Sequence, residues 1–151
     1  MKPRAVLDTS ALIAVERYEL LFAAYKKLYR PVISLFIVGE LARVRTELAI
    51  RQGQDREIYR ARINTFVTQL SGLAVVVDHT RLTGGNYSEW LKDPDDEPIL
   101  ATALVGKARY VVSWNTRDFP PSGSFAGVEY LTPRVFLDGL YQQWPLRDDQ
   151  N

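Results

Sequence analysis

Five short runs of the chain are rich in β-branched and other apolar residues, and helical spacing fills the stretches between them. RAVLDT (4–9), PVISLF (31–36), LAVVVD (73–78), ARYVVSW (108–114) and GVEYLT (127–132) read as strands. The third is nearly pure β-branched, as a strand buried on both faces should be. Ser10–Leu28, Ile37–Ile50, Arg56–Leu70 and Pro98–Lys107 carry apolar residues three and four apart, and a last helix is expected over Pro133–Tyr141. Strands alternating with helices predict a parallel sheet between two helix layers. QGQD and LTGGN mark loops rather than domain boundaries. No repeat is found, so the reading is one domain over residues 1–141. A polar tail over 142–151, ending in RDDQN, is expected to fray.

Composition changes this picture little. At 151 residues the chain can bury a core without covalent staples. No apolar run reaches the roughly 18 residues of a membrane span, and no signal peptide opens the sequence. The absence of cysteine excludes disulfides, thiol catalysis and thiolate metal sites, and fits a cytoplasmic protein. The net charge of +1 says nothing of partners, but Arg43, Arg45, Arg51, Arg56, Arg60 and Arg62 cluster. By itself that cluster reads as a solvated helix face.

Open parallel sheets bind ligands beyond the carboxyl ends of their strands, and acids stand there. Asp8 ends the first strand in VLDTSAL, where a carboxylate is a poor packing choice. Helix capping is the plain alternative, but Ser10 can do that work. Glu40, in SLFIVGELARVR, stands early in the helix after the second strand, either paired with Arg43 on the surface or facing the same rim. KDPDDEP crowds Asp93, Asp95, Asp96 and Glu97 ahead of an apolar helix. Pro98 suits a first turn, which makes Glu97 or Asp96 the cap and Asp93 and Asp95 solvated loop acids. The fourth strand runs into VVSWNTRDF, setting Ser113, Asn115 and Asp118 on the rim beside Trp114, though Asp118 also suits a turn.

Carboxylates gathered on one rim repel one another unless a cation compensates. With one histidine and no cysteine, that cation should be hard and oxygen-liking: Mg²⁺ fits, and Mn²⁺ is a plausible substitute. Such an ion suits phosphodiester hydrolysis.

VLDTSAL, ISLFIVGEL, DPDDEPILATAL and VVSWNTRDFP, in this order, resemble the four motifs of PIN domains. The resemblance spans about residues 4–137, and GVEYLTPRVFL is similar to the family's closing strand and helix. In flavour the chain is most similar to VapC-type toxins and related small PIN proteins. The resemblance implies a three-layer α/β/α sandwich with a five-stranded parallel sheet. It also implies a Mg²⁺- or Mn²⁺-dependent endoribonuclease acting on RNA, a frequent homodimer and, in many cases, a cognate antitoxin. Matched position by position, Asp8, Glu40 and Asp96 are its first three acids. Asn115 stands where a fourth acid is common, a departure that puts a second metal in doubt unless Asp118 contributes. Ser10 and Ser113 match supporting hydroxyls, while Thr9 suits helix-start packing equally well.

Arg43 or Arg45 could then meet RNA phosphates, unless those helices carry a dimer or antitoxin surface. Trp114 could stack an unpaired base. Trp90 reads as packing, and His79 as a surface loop residue.

Three rival readings remain. An aspartyl-phosphate phosphatase usually needs an acid two residues after the nucleophile, where this chain has Ser10. A receiver domain needs a lysine closing a late strand, where it has Ser113-Trp114-Asn115. A PIN-like nucleic-acid-binding module without turnover is suggested by Asn115.

Overall fold

The computed structural model describes residues 2–82, 91 and 96–143. The expectations for Asp93, Asp95, Trp90, most of LTGGN and the tail from residue 144 lie outside the described residues.

Strand β1 (Arg4–Leu7) is followed by α1 (Thr9–Ile13), α2 (Arg17–Tyr25), β2 (Arg30–Ser34), α3 (Leu35–Arg51), α4 (Arg56–Leu73) and β3 (Val75–Val77). Then come α5 (Glu97–Val105), β4 (Tyr110–Val112), β5 (Ser124–Phe125), β6 (Val128–Leu131) and α6 (Pro133–Gln143). The sheet order is β3-β2-β1-β4-β6-β5, parallel except for β5 against β6. The crossovers β1→β2 and β2→β3 step one way across the sheet, and β3→β4 steps back past β1. Right-handed crossovers therefore put α5 on the face opposite α1–α4. On the α1–α4 side, α6 is tied to α2 by Arg134 and Tyr141, both bound to Glu19. The expected mixed α/β sandwich is what forms, with Val6, Leu7, Val32, Ile33, Val111 and Val112 buried at its centre.

Four details correct the sequence reading. Among the described residues the sheet has six strands rather than five. The missed one, β5, pairs with β6 through Ala126 (φ 51°) and Gly127 (φ 79°). Both left-handed residues fit a type I′ hairpin, but Ala-Gly is a weaker signal than Asn-Gly. The helix expected over Ser10–Leu28 is two, because Ala14 is extended (ψ 164°) and its carbonyl accepts from both the backbone N–H and a guanidinium N–H of Arg17. β3 is an edge strand rather than a doubly covered one, and Val76 is 49% exposed. Finally, the second strand stops at Ser34, and Leu35 and Phe36 open α3.

The order reverses at the boundary between β1 and β4, whose connections leave in opposite directions. Helix α5 is seated close against this centre. A side chain at Gly106, just past its end, would collide with Val32 of β2. Inside the same contact Thr102 Oγ1 lies 2.9 Å from Ser34 Oγ and donates to the Pro98 carbonyl at 2.7 Å. These contacts bring the amino end of α5, and so Asp96, to the rim.

Candidate active site

Asp8 directly follows β1, at the reversal point. Its backbone N–H donates to the Val112 carbonyl of β4 at 3.0 Å, which joins the two strand ends. Its carboxylate accepts the Thr9 N–H at 2.8 Å on Oδ1, and the hydroxyls of Ser113 (2.8 Å) and Ser10 (3.2 Å) on Oδ2. The two serines are 3.1 Å apart. Each also accepts a backbone N–H, Ser10 from Trp114 at 2.9 Å and Ser113 from Asn115 at 3.0 Å. Those bonds occupy the hydroxyl lone pairs and leave the hydroxyl protons for Asp8. The capping expectation is thereby reversed: Asp8 is the N-cap of α1, and Ser10 braces it from inside the helix.

An open cleft of about 800 Å³ lies over this point, and its lining includes Asp8, Glu40, Asp96, Asn115, Asp118 and Arg43. One helical turn into α3, Glu40 faces Asp8 closely enough to be affected by it. Burial first, and then the Asp8 charge, raise the Glu40 carboxyl above its ordinary value, while Arg43 opposes the shift. Asp96, one of the two residues the sequence offered as cap, takes the N-cap position of α5 without a side-chain capping bond, and Glu97 begins the helix. Asn115 precedes and Asp118 ends a single 3₁₀ turn, Thr116–Asp118, so Asp118 is both a turn residue and a cleft residue.

Of the two arginines proposed for RNA, Arg43 lines the cleft and pairs with Glu47 at 3.3 Å. The guanidinium of Arg45 lies 4.7 Å from the ring centre of Phe66, an aromatic packing partner on α4. Trp114 is 41% exposed, and its indole N–H donates to Glu16 at 3.3 Å. The expectation for His79 needs correction. It is half-buried and tilted against Phe36 at 5.7 Å, with Nδ1 buried and unpaired.

The sequence reading also passed over Tyr130 on β6 and the pair Ser34–Thr102. Tyr130 is nearly buried, with its ring 5.7 Å from Phe119, and it lines a cavity shared with Asp8 and Asp96. Its signal is faint: one hydroxyl in an alternating strand, as Thr102 is one hydroxyl in an apolar helix.

The donor set is hard and all-oxygen. Among the described residues no three of His, Asp and Glu come together closely enough to hold a metal ion jointly. The arrangement therefore fits an ion that keeps most of its waters and takes one or two carboxylates, as Mg²⁺ does. Thr9 Oγ1, beside the cleft, is buried without a hydrogen-bond partner.

No curated protein and no solved structure matches the chain. The PIN-domain family model matches residues 4–117, from the start of β1 through the turn that carries Asn115. That is well over half of the chain and takes in Asp8, Thr9, Ser10, Glu40, Arg43, Asp96 and Asn115, the polar residues of the cleft that lie before residue 118. The chain belongs to the PIN-domain family.

Proposed function

We propose that this chain is an endoribonuclease that depends on Mg²⁺, with Mn²⁺ able to replace it. Membership in a family typical of nucleases supports the general class. The observation that carries the finer reading is the gathering of Asp8, Glu40, Asp96 and Asp118 around one open cleft at the sheet's reversal point.

Each residue has a definable task. The two serines fix the Asp8 carboxylate so that it cannot rotate away from the cleft. One or two of Asp8, Glu40 and Asp96 would hold the ion directly, and the others would reach it through its bound waters. An ion held there would supply Lewis-acid polarisation of the phosphodiester and a more acidic water. Arg43, the one cation among the described lining residues, meets a substrate phosphate. Trp114 offers an exposed face to an unpaired base next to the cleft. Asn115 supplies a neutral oxygen, which favours one ion over two unless Asp118 contributes.

A toxin role with a cognate antitoxin, and a homodimer, belong to the same reading. They are supported by exposed apolar side chains at Val15, Tyr18, Phe22 and Tyr25, along one side of α2 and the turn before it. The second reading, a nucleic-acid-binding module without turnover, is favoured by Asn115 alone.

The test is cleavage of single-stranded RNA by purified protein with Mg²⁺ or Mn²⁺, with and without EDTA. Metal-dependent cleavage that Asp8→Asn abolishes is the expected outcome. Cleavage undiminished by chelator overturns the metal mechanism. RNA binding without cleavage under any divalent ion selects the binding module.

A further inference from the structure

Beneath the cleft lies a second, much smaller cavity of about 20 Å³. It shares Asp8, Asp96, Asn115 and Asp118 with the cleft, and Tyr130 closes it from β6. A volume of this size holds a single water if polar partners surround it. Here the acids supply acceptors, and the phenol is a donor. The ring cannot easily turn away, because Tyr130 is 9% exposed and packs against Phe119. Burial first, then the charges of Asp96 and Asp8, push the phenol up to about 12, with no hydrogen bond contributing to that shift. It therefore keeps its proton at neutral pH.

Resting on the nuclease reading above, we propose that Tyr130 is a positioning residue, whose hydroxyl holds one water in the cavity and through it fixes the spacing of Asp8 and Asp96. Asp8 and Asp96 line the same small cavity, and carboxylates that share a cavity repel each other. A bridging water, anchored by a donor that stays neutral, gives both an acceptor's share of hydrogen bonding without adding charge. Tyr130 touches neither the ion nor the RNA. It acts on them only through the two acids, as outer partners of metal-binding carboxylates generally do.

The test is Tyr130→Phe, compared with wild type and with Phe119→Leu, which loosens the same ring packing but leaves the hydroxyl. Three quantities are measured: Mn²⁺ affinity by calorimetry, kcat and KM for RNA, and thermal unfolding. The expected result for Tyr130→Phe is an unchanged Tm, Mn²⁺ affinity weakened about 10-fold to 100-fold, and a matching fall in kcat with KM unchanged. Phe119→Leu should lower the Tm and weaken Mn²⁺ affinity clearly less than Tyr130→Phe does, since the hydroxyl remains. If Tyr130→Phe binds Mn²⁺ and cleaves like an active wild type, the positioning role is overturned while the nuclease reading stands. Equal weakening in both variants makes the contribution one of packing and also overturns it. A wild type that neither binds Mn²⁺ nor cleaves RNA overturns both readings together.

Discussion

Ser113→Ala removes the shortest side-chain bond to the Asp8 carboxylate, the 2.8 Å donation to Oδ2. A hydrogen bond to a charged group is worth about 1.5–3 kcal/mol. Two features lower that figure here. Asp8 is only partly buried, so water can take over some of the lost donation, and the Asn115 N–H freed on the other side belongs to an exposed residue. About 1–2 kcal/mol is therefore expected, or about 2–8 °C in Tm for a chain of this size. Ser10→Ala gives up a longer bond of 3.2 Å and should cost less, about 0.5–1 kcal/mol. Because the two hydroxyls are 3.1 Å apart and share one carboxylate oxygen, the double variant should deviate from additivity by at least about 0.5 kcal/mol. Cleavage should fall about 10-fold to 100-fold in Ser113→Ala, since the acid loses its fixed orientation while keeping its charge. Urea unfolding of the four proteins in the cycle, together with RNA cleavage rates, reads both effects. A Ser113→Ala protein within about 0.5 kcal/mol of wild type and fully active would refute the idea that this serine sets the carboxylate.

Asp96→Asn should abolish cleavage while leaving the Tm unchanged or slightly higher, because it removes one charge from a repulsive group; a clear loss of Tm would show that the charge is structural. Glu40→Gln tests the raised carboxyl through pH. The folded value lies above the ordinary 4.5, so ionisation weakens the fold as pH rises from there through the raised value. The variant should therefore melt higher than wild type at pH 7, by under about 1 kcal/mol given solvent screening, and lose that gain at pH 4; an equal gain at both pH values contradicts the assignment. Asn115→Asp should raise activity at low metal, since a charged oxygen is the better ligand for a hard cation. An unchanged metal-activation curve puts residue 115 outside the coordination sphere.

The sequence exposed the acids more readily than their supports. Asp8 and Glu40 stood out because each interrupts an apolar pattern at a strand end or early in a helix, whereas Asp96 stood out among the acids of KDPDDEP only through the match to the PIN motifs. Their gathering in one cleft follows from the parallel topology, which the alternating strands and helices already implied. The supports were harder to see because they act across long sequence separations. The family resemblance marked Ser113 as a supporting hydroxyl, but nothing local in VVSWN indicates that it reaches Asp8, 105 residues away, or that Thr102 reaches Ser34. The difference between Arg43 and Arg45 was invisible for a similar reason. They are two positions apart on α3 and so face different sides, and only the neighbouring α4 with Phe66 decides which guanidinium is diverted. Val15 misled in the opposite direction. Its apolar side chain continued a helical period through a turn, although it is 77% exposed.

The place of Asp8 explains why stability and chemistry are hard to separate in this fold. One residue caps α1, joins β1 to β4 through its N–H, and presents a carboxylate to the cleft. The first two tasks demand a fixed backbone, and the third gains from it, because an ion held by few ligands depends on each being correctly oriented. The same fixity has a cost. Asp8 cannot swing away from Glu40, so their repulsion is built into the folded state and adds to burial, the larger cause, in raising the Glu40 carboxyl. The serines offset part of that cost by stabilising the charge on Asp8 with two hydroxyl donors and the Thr9 N–H. A cation in the cleft would offset the remainder. Divalent ions should therefore raise the Tm of wild type by more than that of Glu40→Gln, since the variant has already lost the repulsion the ion relieves.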